Sequence, residues 1–137
     1  YEPILTAYLG YARPVRLPGA MVGVGGTAHF LFQHANDILT AVTSARGPHL
    51  DLPHEALIAR IHAEVCGIVG ATPPPAWSQV IVEKRATFAC RPGVRRPACE
   101  TPLANFYLCG DYVASDYPAT LEAAVRSGVL AARLIAL

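Results

Sequence analysis

Charge is what this sequence has least of. Asp, Glu, Lys and Arg make up only 15% of its 137 residues, and the formal net charge is +1. Basic residues cluster only in the short stretch Arg91-Pro92-Gly93-Val94-Arg95-Arg96-Pro97, which makes nucleic acid a poor candidate partner. The shortage of charge does not signal disorder, because 53% of the chain is apolar, enough for one ordinary domain with a real core. No apolar run reaches the roughly 18–20 residues of a transmembrane span. A charged leader followed by an apolar stretch, the mark of a signal peptide, is also missing. The sequence starts at Tyr1 inside a strand-like run, Ile4-Leu5-Thr6-Ala7-Tyr8-Leu9, so the expectation is that more chain lies upstream.

Metal and phosphate motifs are scarce too. The four cysteines, Cys66, Cys90, Cys99 and Cys109, form no Cys-x-x-Cys pair and have no histidine at zinc-like spacing. They read as reduced thiols of a cytosolic protein, with a Cys90–Cys99 disulfide as the open alternative. His54 and His62 stand eight apart, too far for an i, i+4 metal pair, and with His29, His34 and His49 they read as surface or loop residues. No metal site is expected. Gly23-Val24-Gly25-Gly26 lacks the Gly-Lys-Ser/Thr ending of a phosphate loop, a third glycine at dinucleotide spacing and a following helix, so it reads as a turn. No internal repeat is visible.

What is present is a succession of short apolar runs. Residues 3–50 read as β structure: Ile4 to Tyr8, Ala20 to Val24, His29 to Phe32 and Ile38 to Thr43, separated by turn-forming residues. Short strands with short connections predict an antiparallel sheet. A helix follows, opened by Pro53 and Glu55, with Leu57, Ile61, Val65 and Ile68 on its buried face and Gly70 at its end. Trp77 to Phe88 reads as a further strand. The arginine-bearing stretch after it is either a solvated connection or a contact for an anionic group such as a pyrophosphate.

The last stretch, Asn105 to Leu137, carries the best candidate for a binding corner. Phe106-Tyr107-Leu108-Cys109 reads as a buried strand that stops at Gly110-Asp111, with Pro118 in the first turn of a helix. Leu121, Val125, Gly128, Ala132 and Ile135 recur at spacings of four, three, four and three and predict its buried face. Glu122 and Arg126 stand four apart in the favourable order for an ion pair. A helix N-terminus aimed at an acidic turn joins unpaired N–H groups and partial positive charge to a carboxylate that accepts from hydroxyls.

Leu108-Cys109-Gly110-Asp111 and Pro118-Ala119-Thr120-Leu121-Glu122-Ala123-Ala124-Val125-Arg126-Ser127-Gly128 together resemble the C-terminal flavin-binding signature of the FAD-dependent amine oxidase and phytoene desaturase superfamily. Ser44-Ala45-Arg46-Gly47-Pro48-His49-Leu50, Glu83-Lys84-Arg85-Ala86-Thr87-Phe88 and Arg96-Pro97 are similar to its squalene-associated branch. The resemblance covers essentially the whole chain but only the C-terminal third of such an enzyme. It implies an α+β fragment: an antiparallel substrate-domain sheet with a helix over 1–103, and over 104–137 a strand–turn–helix of an FAD-binding Rossmann-like domain whose N-terminal part is missing. The implied cofactor is FAD. Gly110 would allow its close approach, Asp111 would bind its ribityl or pyrophosphate region, and Ala119, Thr120 and Leu121 would direct backbone N–H groups at the flavin, the Leu121 amide foremost. Ala123 stands where the family usually has glycine. The implied substrate is an apolar polyisoprenoid and the implied reaction the reduction of hydroxysqualene to squalene in squalene and hopanoid biosynthesis, with peripheral membrane contact. Carotenoid desaturation, amine oxidation and a non-catalytic ligand-binding module are the alternatives. Leu31, Phe32, Ile38 and Leu39 are either substrate-lining or ordinary core. No residue identifies itself as the catalytic acid or base.

Overall fold

Strand β1, Glu2–Gly10, shows why the N-terminal half folds as a sheet: its burial alternates residue by residue, with Leu5, Ala7 and Leu9 inside and Ile4, Thr6 and Tyr8 on the other face. The computed structural model describes residues 1–136. Leu137, the last residue of the C-terminal stretch, lies outside them. The chain divides into two compact units, the first Tyr1–Ala86 and the second from Thr87 onward.

The first unit is a five-stranded sheet in the order β2-β3-β4-β1-β5, with β2 at Met21–Gly23, β3 at Phe30–Gln33, β4 at Ile38–Ser44 and β5 at Trp77–Thr87. Antiparallel ladders join β2 to β3, β3 to β4 and β4 to β1, with Leu31 opposite Ala41 and Leu9 opposite Leu39. At the β1–β5 edge the Ala76 N–H donates to the Gly10 carbonyl at 2.7 Å, while Arg85 stacks over the Tyr1 ring at the other end, so these strands also run in opposite directions. Gly10 is required there, because a Cβ would fall inside the Trp77 indole.

A 3-10 turn at Pro48–Asp51 leads into helix α1, His54–Val69, with Pro53 as its N-cap residue. Leu57, Ile58, Ile61 and Val65 are buried and pack with Leu5, Leu9, Leu31 and Leu39 as one core. Burial of each such side chain contributes about 1.5–3 kcal/mol before entropy is counted. Gly70 ends the helix at φ +88°, donating to the Cys66 carbonyl at 2.9 Å, as its glycine predicts.

The glycine cluster is a turn, held from outside itself. The Glu64 carboxylate of α1 accepts from the Thr27 and Ala28 amides at 2.5 and 2.9 Å, and a Cβ on Gly26 would collide with it. Those amides are occupied by the protein's own carboxylate. The histidines are more engaged than surface placement implies. The hydroxyl of the buried Tyr11 lies 3.2 Å from His62 Nδ1, and Cys66 Sγ lies 3.5 Å from His62 Nε2. Burial first, and then the neighbouring Cys66, push the Tyr11 phenol up to about 12.

In the second unit, helix α2 spans Leu121–Ile135. Cys99, Val113 and Ala131 form its small core, with Tyr107, Leu108 and Leu134 packed against it. Two expectations need correction. Residues 106–109 are not a strand: Tyr107 makes one isolated bridge with Glu100, and Phe106 and Cys109 are exposed. A strand needs a ladder, and only Leu108, donating to the Cys99 carbonyl at 2.8 Å, extends that bridge. Nor is the buried face of α2 the bulky one. Ala123, Ser127 and Ala131 are inside, whereas Leu121 is 88% exposed and Val125 63%. All four cysteines are free.

Candidate functional site

The predicted corner begins at Gly110, whose φ of +146° only glycine adopts easily and whose missing Cβ leaves room for the Tyr112 ring. Ser127, seven residues into α2, fastens this backbone to the helix. Its hydroxyl accepts from the Gly110 N–H at 2.8 Å, and its single proton faces the Ala124 carbonyl at 2.8 Å and the Gly110 carbonyl at 3.0 Å. The small side chains at Ala123, Ser127 and Ala131 leave this face of α2 low enough for a loop backbone to lie against it. A spacing of four among small residues was the signal for Ser127, and larger apolar neighbours obscure it in the sequence.

Helix α2 starts later than Pro118 suggests. Thr120 is its N-cap residue in extended conformation, with its hydroxyl oxygen accepting from the Ala123 N–H at 3.2 Å. Pro118 lies outside the helix, its carbonyl facing the Thr120 hydroxyl at 3.2 Å. The first helical hydrogen bond runs from Ala124 N–H to the Thr120 carbonyl. This leaves the Leu121 and Glu122 amides without a partner among the described residues, at the positive end of the helix. Ala119 is half-buried just ahead of the cap. Asp111 is half-buried beside Gly110, and its carboxylate has no hydrogen bond or ion pair among the described residues. The structure therefore joins Gly110 to α2 and caps the helix through Thr120. It records no direct contact between Asp111 and Ala119, Thr120 or Leu121.

The surrounding loops are fixed by cations. Arg96 donates through Nη1 to the Tyr117 carbonyl at 2.8 Å and through Nη2 to the Ser115 carbonyl, and stacks over Phe88. It is neither free in solvent nor free for an anion. Arg126 pairs with Glu122 at 2.5 Å and lies over the Tyr117 ring, the helical pair expected from the spacing. With both side chains more than half exposed, that pair contributes little stability.

The first unit offers a second surface, by itself. The sheet face opposite α1 is apolar: Met21 pairs with Phe32, Phe32 with Thr40 and Thr40 with Tyr8 in one lateral row, and Phe30 pairs with Val42 in the next. Met21 and Phe30 are exposed, and the Phe30 and Phe32 rings lie 6.4 Å apart. Of the four candidate lining residues, Leu31 and Leu39 belong to the core, while Phe32 and Ile38 are half-buried on this outward side. Thr40, also on this side, is buried and its hydroxyl has no partner. Nothing in the sequence singled it out, since threonine is ordinary in strands.

Residues 1–136 match the family described as flavin containing amine oxidoreductase. The chain is 41% identical over 140 residues to hydroxysqualene dehydroxylase of Rhodopseudomonas palustris, covering 98% of this chain and 32% of that protein. It is 36% identical to the protein of the same name from Sinorhizobium fredii, with the same coverage. Zeta-carotene desaturase of Zea mays is 26% identical over 78% of this chain and 20% of its own length. The chain thus spans about a third of the length of the curated hydroxysqualene dehydroxylases it matches.

Proposed function

This chain belongs to the flavin containing amine oxidoreductase family, and from that premise we propose that it is part of an FAD-dependent enzyme that reduces hydroxysqualene to squalene. The observation that carries the substrate class is the outward sheet face of the first unit. A long apolar molecule suits a surface of Met21, Phe30, Phe32 and Tyr8, whose side chains lie in adjoining rows of the sheet. Exposed apolar area of this kind is otherwise costly to leave in water. The relatives named hydroxysqualene dehydroxylase support the same reading.

The corner in the second unit fits FAD. An unpartnered carboxylate on Asp111 can accept from ribityl hydroxyls, and the free Leu121 amide can donate to the flavin's pyrimidine edge. Gly110, where a Cβ would meet Tyr112, keeps the backbone low at this place. When bound, FAD supplies hydride transfer to carbon. The partial positive charge at the start of α2 favours a group that gains negative charge on reduction. We assign residues 1–103 to a substrate domain and 104–137 to the returning end of a Rossmann-like flavin domain, in which residues 106–109 gain the ladder partners they lack here. We propose in addition a cytosolic location, in keeping with four free cysteines, and peripheral contact with a membrane, which an apolar substrate would require.

A carotenoid reading rests on the zeta-carotene desaturases among the relatives, with the flavin working in the oxidative direction. A product assay on the full-length protein separates these. Squalene formed from hydroxysqualene under reducing conditions is the expected result. Desaturation of phytoene without squalene formation would transfer the assignment to carotenoids, and turnover of neither would leave a binding module.

A further inference from the structure

A cavity of about 440 Å³ in the first unit, away from the outward sheet face, gathers basic side chains from four segments. His29 comes from the residue before β3, Arg46 from the turn after β4, His49 from the 3-10 turn and Arg60 from α1. No aspartate or glutamate lines it. Arg46 and Arg60 are both exposed, and neither is in an ion pair among the described residues. Two guanidinium groups outside any ion pair are free to take an anion, although the charges of Asp51 and Glu64 lie nearby.

The walls are built rather than incidental. The turn after β4 places Ala45, a non-glycine residue, at φ +67°, a conformation that costs energy and persists only where the surroundings enforce it. Gly47 makes room for the His49 ring, since a Cβ there would lie 2.9 Å from His49 Nδ1. His29 Nδ1 accepts from the Ser44 N–H at 3.2 Å, so in the neutral ring the proton sits on Nε2. His49 Nε2 is buried without a partner. Its imidazole is held below the usual histidine range first by burial and then by His29, against the opposing Ala45 hydrogen bond and Asp51 charge. The other nearby carboxylate, Glu64, is spent on the Thr27 and Ala28 amides.

We propose that this cavity is an oxyanion site for a phosphate or diphosphate group, gripped by Arg46 and Arg60 with His29 as a further donor and His49 adding positive charge when protonated. Guanidinium groups match such oxygens bidentately, and the volume accommodates a group of that size. The site is independent of the flavin corner and of the polyisoprenoid reading. Its charge comes either from a soluble phosphate compound or from a lipid headgroup.

Inorganic pyrophosphate titrated calorimetrically into the protein, with FAD at saturation so that no cofactor phosphate site takes the titrant, tests this. Saturable binding is expected, weakened about tenfold in Arg60→Gln and further in the Arg46→Gln/Arg60→Gln double variant. Both arginines are exposed, so neither change threatens the fold. Sulfate, whose charge is constant, carries the pH arm. Its affinity should rise as pH falls below about 6, where His49, held below the usual histidine range, takes up its proton, because anion binding and imidazole protonation favour each other, and His49→Asn should reduce that rise. Sedimentation with phosphatidylcholine vesicles, with and without phosphatidic acid, separates the sources. Vesicle binding that depends on phosphatidic acid and is lost in the double variant assigns a lipid phosphate, and pyrophosphate binding without it assigns a soluble one. Absence of saturable pyrophosphate binding, or equal affinity in wild type and double variant, overturns the proposal.

Discussion

Gly110 concentrates two separate constraints in one residue. Its φ of +146° is unfavourable for any side chain, and the Tyr112 ring occupies the space a Cβ would take. Gly110→Ala should therefore lower stability by about 1–3 kcal/mol, measured as a shift of the urea midpoint at unchanged slope. A neutral result would mean that the turn relaxes freely and does not fix the corner. Thr40 makes the opposite kind of prediction. Its buried hydroxyl has no partner, so Thr40→Val should leave stability unchanged or raise it by up to about 1 kcal/mol. A loss of more than about 1 kcal/mol in a urea titration would show that the hydroxyl has a partner after all.

Among the elements, those with local support were legible and those that depend on a partner were not. The strands at Glu2–Gly10 and Ile38–Ser44 follow from short β-prone apolar runs between turn residues, and α1 from Pro53, its apolar spacing and Gly70. These patterns describe contacts made within the first unit. The apolar run at 106–109 has strand composition, but composition cannot supply a ladder, and only Tyr107 finds a bridge. In α2 two faces compete: periodicity favours Leu121, Val125 and Ile135 because they are large, whereas Ala123, Ser127 and Ala131 are the residues that touch the second unit's own loops. Gly110, Asp111 and the helix start were singled out through the flavin signature, and the structure adds the positive φ of Gly110 and the Thr120 cap. Ser127 was not, since its role depends on a backbone seventeen residues away. The helix assignment is open to test. Ala123→Leu should cost about 1–3 kcal/mol by overpacking, while Val125→Ala, at a 63% exposed position, should change the stability of this chain by no more than about 0.5 kcal/mol. The reverse order in denaturant titrations would put the bulky face inside.

At the scale of the whole molecule, the chain matches its family throughout yet spans about a third of its hydroxysqualene dehydroxylase relatives. Its second unit holds the Asp111 carboxylate and the capped N-terminus of α2, and its first unit holds the outward sheet face. The proposed placement of residues 110–121 in the FAD site is tested by the FAD occupancy of the purified full-length protein, read from flavin absorbance relative to protein, in wild type and Asp111→Ala. FAD affinity of the variant should fall by about tenfold or more, from the removal of a charged hydrogen-bond acceptor, with folding intact by circular dichroism. Full occupancy at wild-type affinity in a folded Asp111→Ala protein would contradict that placement.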